Sequence, residues 1–174
     1  MIKGMMIHSQ LADYHYFLNL PGYACCHEYH FWDETANYRN FTKHFIYNKN
    51  ELLPETRIEI PEVIPKCWYG HKRQDLSETD IKMGVKKGLD MWIDWEKETK
   101  CMYECKYKEL LDIGNIYDTI IVKKLLDEVS YELQCAESYQ LSKEAISYDL
   151  TIITSEQDCK KEKYLKKIKE VLDI

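Results

Sequence analysis

The chain has 174 residues, of which 45% are hydrophobic, 13% aromatic and 31% charged. A chain of this length and composition fits one folded domain, residues 1–174, with a core of its own, and it excludes a fibrous chain and a disordered tail. With 24 basic and 30 acidic side chains, the formal net charge of -6 argues against a general nucleic-acid-binding protein.

The chain also lacks the signals of membrane insertion and secretion. It contains no window of 18 apolar residues, so no membrane-spanning helix is predicted. The apolar run within residues 1–8 is too short for a signal peptide. The seven cysteines form no Cys-x-x-Cys pair, which favours free thiols in a reducing cytoplasm. A secreted chain whose N-terminus has already been processed stays the alternative.

Hydrophobic periodicity predicts a first pair of helices. The first helix covers about residues 3–20 and is ended by Pro21-Gly22, a dipeptide that interrupts helices. The second helix covers about residues 28–49, where one face is marked by residues that step by four and three. The members of that face are Phe31, Thr35, Tyr38, Thr42 and Phe45.

A long connection follows, over about residues 50–77. It contains three of the four prolines and a short alternating run, Arg57-Ile-Glu-Ile60. The connection is too long for a tight turn between antiparallel helices. Its length suits a crossover from one end of a helical bundle to the other.

Three more helices are predicted after the crossover. Ser77 with Asp80 offers an N-cap for a third helix over about residues 78–113. After Gly114 a fourth helix covers about residues 116–147, and a short amphipathic helix covers about residues 158–172. The stripe of the third helix comprises Ile81, Val85, Leu89, Trp92, Glu96, Thr99, Tyr103, Lys106 and Leu110. That of the fourth comprises Tyr117, Ile121, Leu125, Glu128, Glu132, Cys135 and Tyr139. In the tail helix Tyr164, Leu165, Ile168 and Leu172 share one side, and lysines occupy the rest.

This order of elements predicts an all-α fold: a four-helix bundle with one long crossover and a short fifth helix, which is the ferritin-like arrangement. Short segments along nearly the whole chain also resemble the ferritin family. They are Leu11-Ala-Asp-Tyr-His-Tyr16, Arg57-Ile-Glu-Ile-Pro-Glu-Val63, Trp95-Glu-Lys97, Asn115-Ile-Tyr-Asp118 and Leu126-Asp-Glu-Val129.

The resemblance implies a ferroxidase centre, and this sequence departs from it. Ferritins bind two irons with a first-helix glutamate, a second-helix Glu-x-x-His and carboxylates of the third and fourth helices. The first-helix position here matches Ser9, and the second-helix positions match Tyr38 and Phe41. No Glu-x-x-His occurs in residues 28–49. We therefore expect inward-pointing rings to fill the space of the metal cavity.

Two carboxylates remain at family positions. Glu96 on the third helix and Glu128 on the fourth match residual ligands, with Tyr16 as a further neighbour. The competing interpretation is a hydrogen-bonded polar pair inside a helical core. Asp118 matches the aspartate of the three-fold channel, although Ile121 stands where the family has a glutamate.

A second group of metal-ligand types lies at the start of the predicted second helix. His27 and His30, with Glu34 one turn later, share a helical face and could bind a borderline divalent metal. The ordinary interpretation is an exposed helix start, where acids favour the helix dipole and histidines face water.

The resemblance implies an iron-storage cage subunit that is light-chain-like and lacks strong ferroxidase activity, so we lean against an enzyme. Iron would be bound weakly or held only as stored mineral. The expected partners are other ferritin-like subunits, in a homo- or hetero-oligomer for which the family implies a 24-subunit shell, with neither nucleic acid nor membrane. The alternative is a structural or protein-holding cage module that does not handle iron.

Overall fold

A computed structural model describes residues 1–50, 70 and 72–173 of the chain, apart from the side chain of Phe45. These residues form helices and no strand, which confirms the predicted all-α class. The four-helix bundle with one long crossover stays a prediction. The α-helices are α1 (Ile2–Phe17), α2 (Pro21–His44), α3 (Glu78–Asp112), α4 (Ile116–Ala145), α5 (Leu150–Ser155) and α6 (Gln157–Leu172). A π-helical turn, Phe45–Lys49, follows α2, and a 3-10 turn, Arg73–Asp75, precedes α3. No helix in this part of the chain is long and apolar enough to cross a bilayer.

The predicted start of the second helix was wrong by seven residues. Proline lacks a backbone N–H, and the first turn of a helix does not need one, so Pro21 begins α2 instead of marking a break. The chain reverses at residues 18–20, where Asn19 has a φ of 60°. The predicted crossover run Arg57-Ile-Glu-Ile60 lies outside the described residues.

The chain divides into two compact units: unit 1 is Met1–Gly84 with Leu150–Ile174, and unit 2 is Val85–Asp149. The prediction of a single domain stays a prediction. In unit 1, α2 packs against both α1 and α6. In the contact of α1 with α2, the ring centroids of His15 and Tyr23 lie 5.4 Å apart. In the contact of α2 with α6, those of Tyr29 and Tyr164 lie 6.0 Å apart. Residues later in α2 contact residues earlier in α1, so α1 and α2 are antiparallel. Residues later in α2 contact residues later in α6, so α6 and α2 are parallel.

The start of α2 is fixed by a side chain of α6. The backbone N–H groups of Gly22 and Tyr23 donate to Gln157 Oε1 at 2.9 and 3.2 Å, and Gln157 Nε2 donates to the carbonyl of Ile153 at 2.9 Å. A Cβ at Gly22 would lie 2.6 Å from the Gln157 carbonyl oxygen. A glycine is therefore required for this close approach of α2 and α6.

The buried side of α6 differs from the predicted one. Tyr164 and Gln157 are buried, but Leu165 and Leu172 are more than one-third exposed. The ammonium groups of Lys160 and Lys167 instead lie 5.5 Å from the Tyr23 ring and 4.7 Å from the Tyr29 ring. Cations that cover aromatic faces of α2 account for this rotation, because lysine stems pack well against rings.

Unit 2 is an antiparallel hairpin of α4 and the part of α3 from residue 85 onward. Trp92 lies 6.1 Å from Tyr139 between ring centroids, and the Lys97 ammonium lies 3.6 Å from a Glu137 carboxylate oxygen. The predicted stripe of α3 is confirmed for six of its members, which are buried: Val85, Leu89, Trp92, Glu96, Thr99 and Leu110.

The buried face of α4 differs from the predicted stripe. The buried residues are Thr119, Val122, Val129, Leu133, Ala136 and Lys143. The predicted members from Ile121 to Tyr139 are half-buried and flank this face, and Tyr117 is exposed. A rotation of about one residue separates the two faces, because apolar residues occur on both sides of the boundary and periodicity alone does not choose between them.

Candidate functional site

Two groups of buried titratable side chains mark candidate sites, one in each unit. In unit 2 the Glu96 side chain on α3 is only 1% exposed. Its Oε1 accepts a hydrogen bond from the indole Nε1 of Trp92, one turn earlier, at 2.9 Å. On α4 the half-buried Glu132 brings a carboxylate oxygen within 4.8 Å of a Glu96 oxygen. The hairpin therefore places two carboxylates side by side.

Two carboxylates at this separation repel one another when both are ionised. Burial and the neighbouring like charge both disfavour a second negative charge, so a shared proton or a bound cation would stabilise the pair. Carboxylate oxygens are hard ligands that suit iron, manganese and magnesium. The pair can hold one such ion, with the indole N–H of Trp92 orienting one carboxylate.

The partner of Glu96 in this pair lies one turn beyond the predicted Glu128. Glu128 is half-buried and its carboxylate lies 3.5 Å from the Lys124 ammonium. Glu132 had a sequence signal, since it belongs to the same predicted stripe on α4. The resemblance to ferritins matched Glu128 to a ligand position. It gave no signal for Glu132, one turn later on α4.

In unit 1 four histidine rings form a continuous column between α1 and α2. From one end to the other, the centroid distances are 5.1 Å from His30 to His8, 5.4 Å from His8 to His27 and 5.1 Å from His27 to His15. Tyr23 continues the column, 5.4 Å from His15. All four imidazoles are buried.

Burial disfavours the charged form of two of these imidazoles, those of His15 and His27. Desolvation lowers the pKa of His15 to about 4, although its hydrogen bond to the Leu11 carbonyl, at 2.8 Å, opposes the shift. Desolvation also holds the pKa of His27 well below its ordinary value, and the neighbouring His15, His8 and His30 lower it further. Neutral imidazoles retain the lone pairs that metal ions bind.

The expected surface location of His27 and His30 is wrong. Because α2 begins at Pro21, both residues lie beyond its first turn and face α1. Glu34 lies farther along α2, where its carboxylate is 3.6 Å from the amino terminus of Met1. His8 and His15 were missed, although they share helical spacing with Leu11 and Leu18. That spacing was the available signal.

The positions matched to missing family ligands do not form an enclosed core. Ser9 on α1 and Tyr38 and Phe41 on α2 are all half-buried. The expectation that the two rings fill the space of a metal cavity stays a prediction. The buried part of α2 is mainly its first half, from Gly22 to His30.

Two further predicted residues have local roles in this structure. The Tyr16 hydroxyl donates to Glu28 Oε2 at 3.2 Å and lies 3.6 Å from Cys25 Sγ. Desolvation and these two neighbours raise the pKa of Tyr16. At the start of α4, the backbone N–H of Asp118 donates to Asn115 Oδ1 at 3.2 Å, and Asn115 Nδ2 donates to Asp118 Oδ2 at 2.7 Å. Asp118 thus stabilises the first turn of α4.

We compared the chain with protein families, curated proteins and solved structures. No protein-family model, curated protein or solved structure matches the chain.

Proposed function

We propose that the chain is an iron-binding subunit of ferritin-like type, without strong ferroxidase activity of its own. The observation that carries the proposal is the Glu96–Glu132 carboxylate pair on the α3–α4 hairpin. Burial of one carboxylate beside another is costly unless a cation or proton intervenes. A ferrous ion supplies two positive charges and accepts oxygen ligands, so it satisfies both carboxylates at once.

The same pair explains why oxidation would be weak. Ferritin-type oxidation needs two irons held together by several carboxylates and an imidazole. The positions matched to the first- and second-helix ligands hold Ser9, Tyr38 and Phe41. The carboxylate pair of unit 2 suits one ion. Assembly with other ferritin-like subunits, in a shell, belongs to the proposal through the family resemblance, and such partners would supply the oxidation step.

Anaerobic calorimetric titration with Fe²⁺ tests the proposal. We expect one ion per chain, with the affinity lowered at least about tenfold in Glu96→Gln and in Glu132→Gln. Glu137→Gln is the matched control, because Glu137 lies on the same helix and pairs with Lys97 at the surface. A loss in Glu128→Gln with no loss in Glu132→Gln would restore the ligand predicted from the family. Wild-type binding that neither Glu96 nor Glu132 affects would contradict the proposal.

A structural module that does not handle iron is the second candidate. The hydrogen bond from Trp92 to Glu96 favours it, because a buried carboxylate can be satisfied by such donors and by a proton shared with Glu132. Sizing and metal analysis of protein from its native source separate the two. Iron-bearing oligomers support iron handling, and iron-free protein of any size supports the structural module.

A further inference from the structure

The histidine column of unit 1 has an energetic feature that packing alone does not require. Its four imidazoles are buried, and burial of polar rings costs free energy that leucine or phenylalanine would avoid. Stacking of the rings is favourable, but it offsets only a part of the free-energy cost of their burial. Histidines of two helices thus face one another in a buried position.

Within the column, two imidazole nitrogens approach closely. Nδ1 of His8 on α1 and Nδ1 of His27 on α2 lie 3.2 Å apart. In a tetrahedral zinc site two nitrogens, each about 2.0 Å from the ion, are roughly 3.3 Å apart. The two donors thus already have the separation that such an ion requires, and rotations of the rings would aim both lone pairs at it. His30, 5.1 Å from His8 between ring centroids, is a further imidazole beside them.

We propose that His8 and His27 bind a borderline divalent transition metal, Zn²⁺ or Cu²⁺, between α1 and α2. Imidazole nitrogen suits these ions, whereas the carboxylates of unit 2 suit harder ions. The site goes beyond the proposed iron function, because its donors are imidazole nitrogens of α1 and α2 and not the carboxylates of α3 and α4.

The proton balance of binding is simple. Without the metal, the 3.2 Å contact is an N–H···N hydrogen bond, in which one Nδ1 carries a proton and the other accepts it. To bind through both Nδ1 atoms, the donor imidazole shifts its proton from Nδ1 to Nε2. Both rings stay neutral, so the metal displaces a hydrogen bond without net proton release.

Calorimetric titration with Zn²⁺ tests the site. We expect the wild type to bind one equivalent, and His8→Asn and His27→Asn to bind at least about tenfold more weakly. His44→Asn is the matched control, because His44 is also a buried histidine of α2, and its Nδ1 lies 2.8 Å from Asn48 Nδ2. Wild-type protein that takes up no Zn²⁺, or variants that bind it as tightly as the wild type, would overturn the proposal.

A spectroscopic measurement covers the case in which the variants fail to fold. Circular dichroism reports whether their helix content is retained. Electron paramagnetic resonance of the wild type with one equivalent of Cu²⁺ then identifies the donors without any substitution. Hyperfine coupling to at least two imidazole nitrogens supports the site, and a spectrum with oxygen donors alone overturns it.

Discussion

At the scale of single residues, the molecule buries titratable groups in two different ways. Glu96 in unit 2 lies beside a second carboxylate and receives a hydrogen bond from Trp92. The imidazoles of unit 1 lie beside one another, and burial lowers the pKa of His15 and His27. Both arrangements make the stability of the fold depend on protonation or on hydrogen bonding at a few atoms.

The buried His15 predicts a loss of stability in acid. Its pKa is about 4 in the folded chain and 6.5 ordinarily, so the unfolded chain binds the proton more tightly. The contribution of neutral His15 to the free energy of unfolding is thus fully present above about pH 6.5. It is lost as the pH drops toward 4, which lowers the free energy of unfolding by up to roughly 3 kcal/mol. Urea unfolding at several pH values measures it. His15→Gln should show a shallower decline, and an equally steep one would contradict the assignment.

The indole of Trp92 predicts a second effect at residue scale. Trp92→Phe removes the hydrogen bond to the buried Glu96 carboxylate, so the free energy of unfolding should fall by roughly 1–3 kcal/mol. Urea unfolding at neutral pH measures the change. In the Glu96→Gln background, Trp92→Phe should lower the free energy of unfolding by less. The neutral amide of glutamine loses less than a charged carboxylate when the indole donor is removed. An equal cost in both backgrounds would show that lost ring packing, and not the hydrogen bond, is responsible.

At the scale of secondary-structure elements, the contact between α2 and α6 depends on Gly22. A methyl group there would lie 2.6 Å from the Gln157 carbonyl oxygen and 2.8 Å from Lys160 Cβ. Gly22→Ala should therefore lower the free energy of unfolding by about 1–3 kcal/mol through overpacking. Thermal unfolding followed by circular dichroism measures this loss. Leu165→Ala on the exposed side of α6 is the control, and an equal or larger loss there would contradict the account.

The helix boundaries could be predicted from the sequence wherever the signal is local. Ser77 and Asp80 form the predicted cap of α3, with the Ser77 N–H and the Asp80 N–H donating to each other's side chains. The dipeptide Gly114-Asn115 separates α3 from α4 as expected. Pro21 misled the prediction, because a proline is compatible both with the end of one helix and with the first turn of the next.

The candidate sites could be predicted only in part, because they depend on helix rotation. Glu96 was found through the resemblance of Trp95-Glu-Lys97 to a ferritin segment, and the structure buries its side chain. Glu132 was passed over for Glu128, and the burial of His27 and His30 was missed. In each case a shift of the helix start or of its buried face decides which side chains meet, and a single-helix pattern does not contain the partner helix that sets this rotation.

At the scale of the whole molecule, the two compact units offer different ligand chemistry. The α3–α4 hairpin offers carboxylate oxygens, and the α1–α2 pair offers imidazole nitrogens. The net charge of -6 favours the approach of cations over anions.

The proposed function predicts slow iron oxidation by the isolated chain. Aerobic absorbance measurements after addition of Fe²⁺ should show oxidation no faster than in buffer, because one carboxylate pair holds one ion. Mixing with a ferroxidase-competent ferritin subunit under refolding conditions should restore uptake into a common assembly. Rapid oxidation of two irons per chain by the protein alone would contradict this prediction.

The most direct test is an anomalous difference map, recorded at the iron edge from crystals grown anaerobically with Fe²⁺. The account predicts a peak within bonding distance of the carboxylates of Glu96 and Glu132, and its absence from Glu96→Gln crystals. A wild-type map with no peak there, or with iron bound only elsewhere, would contradict the account.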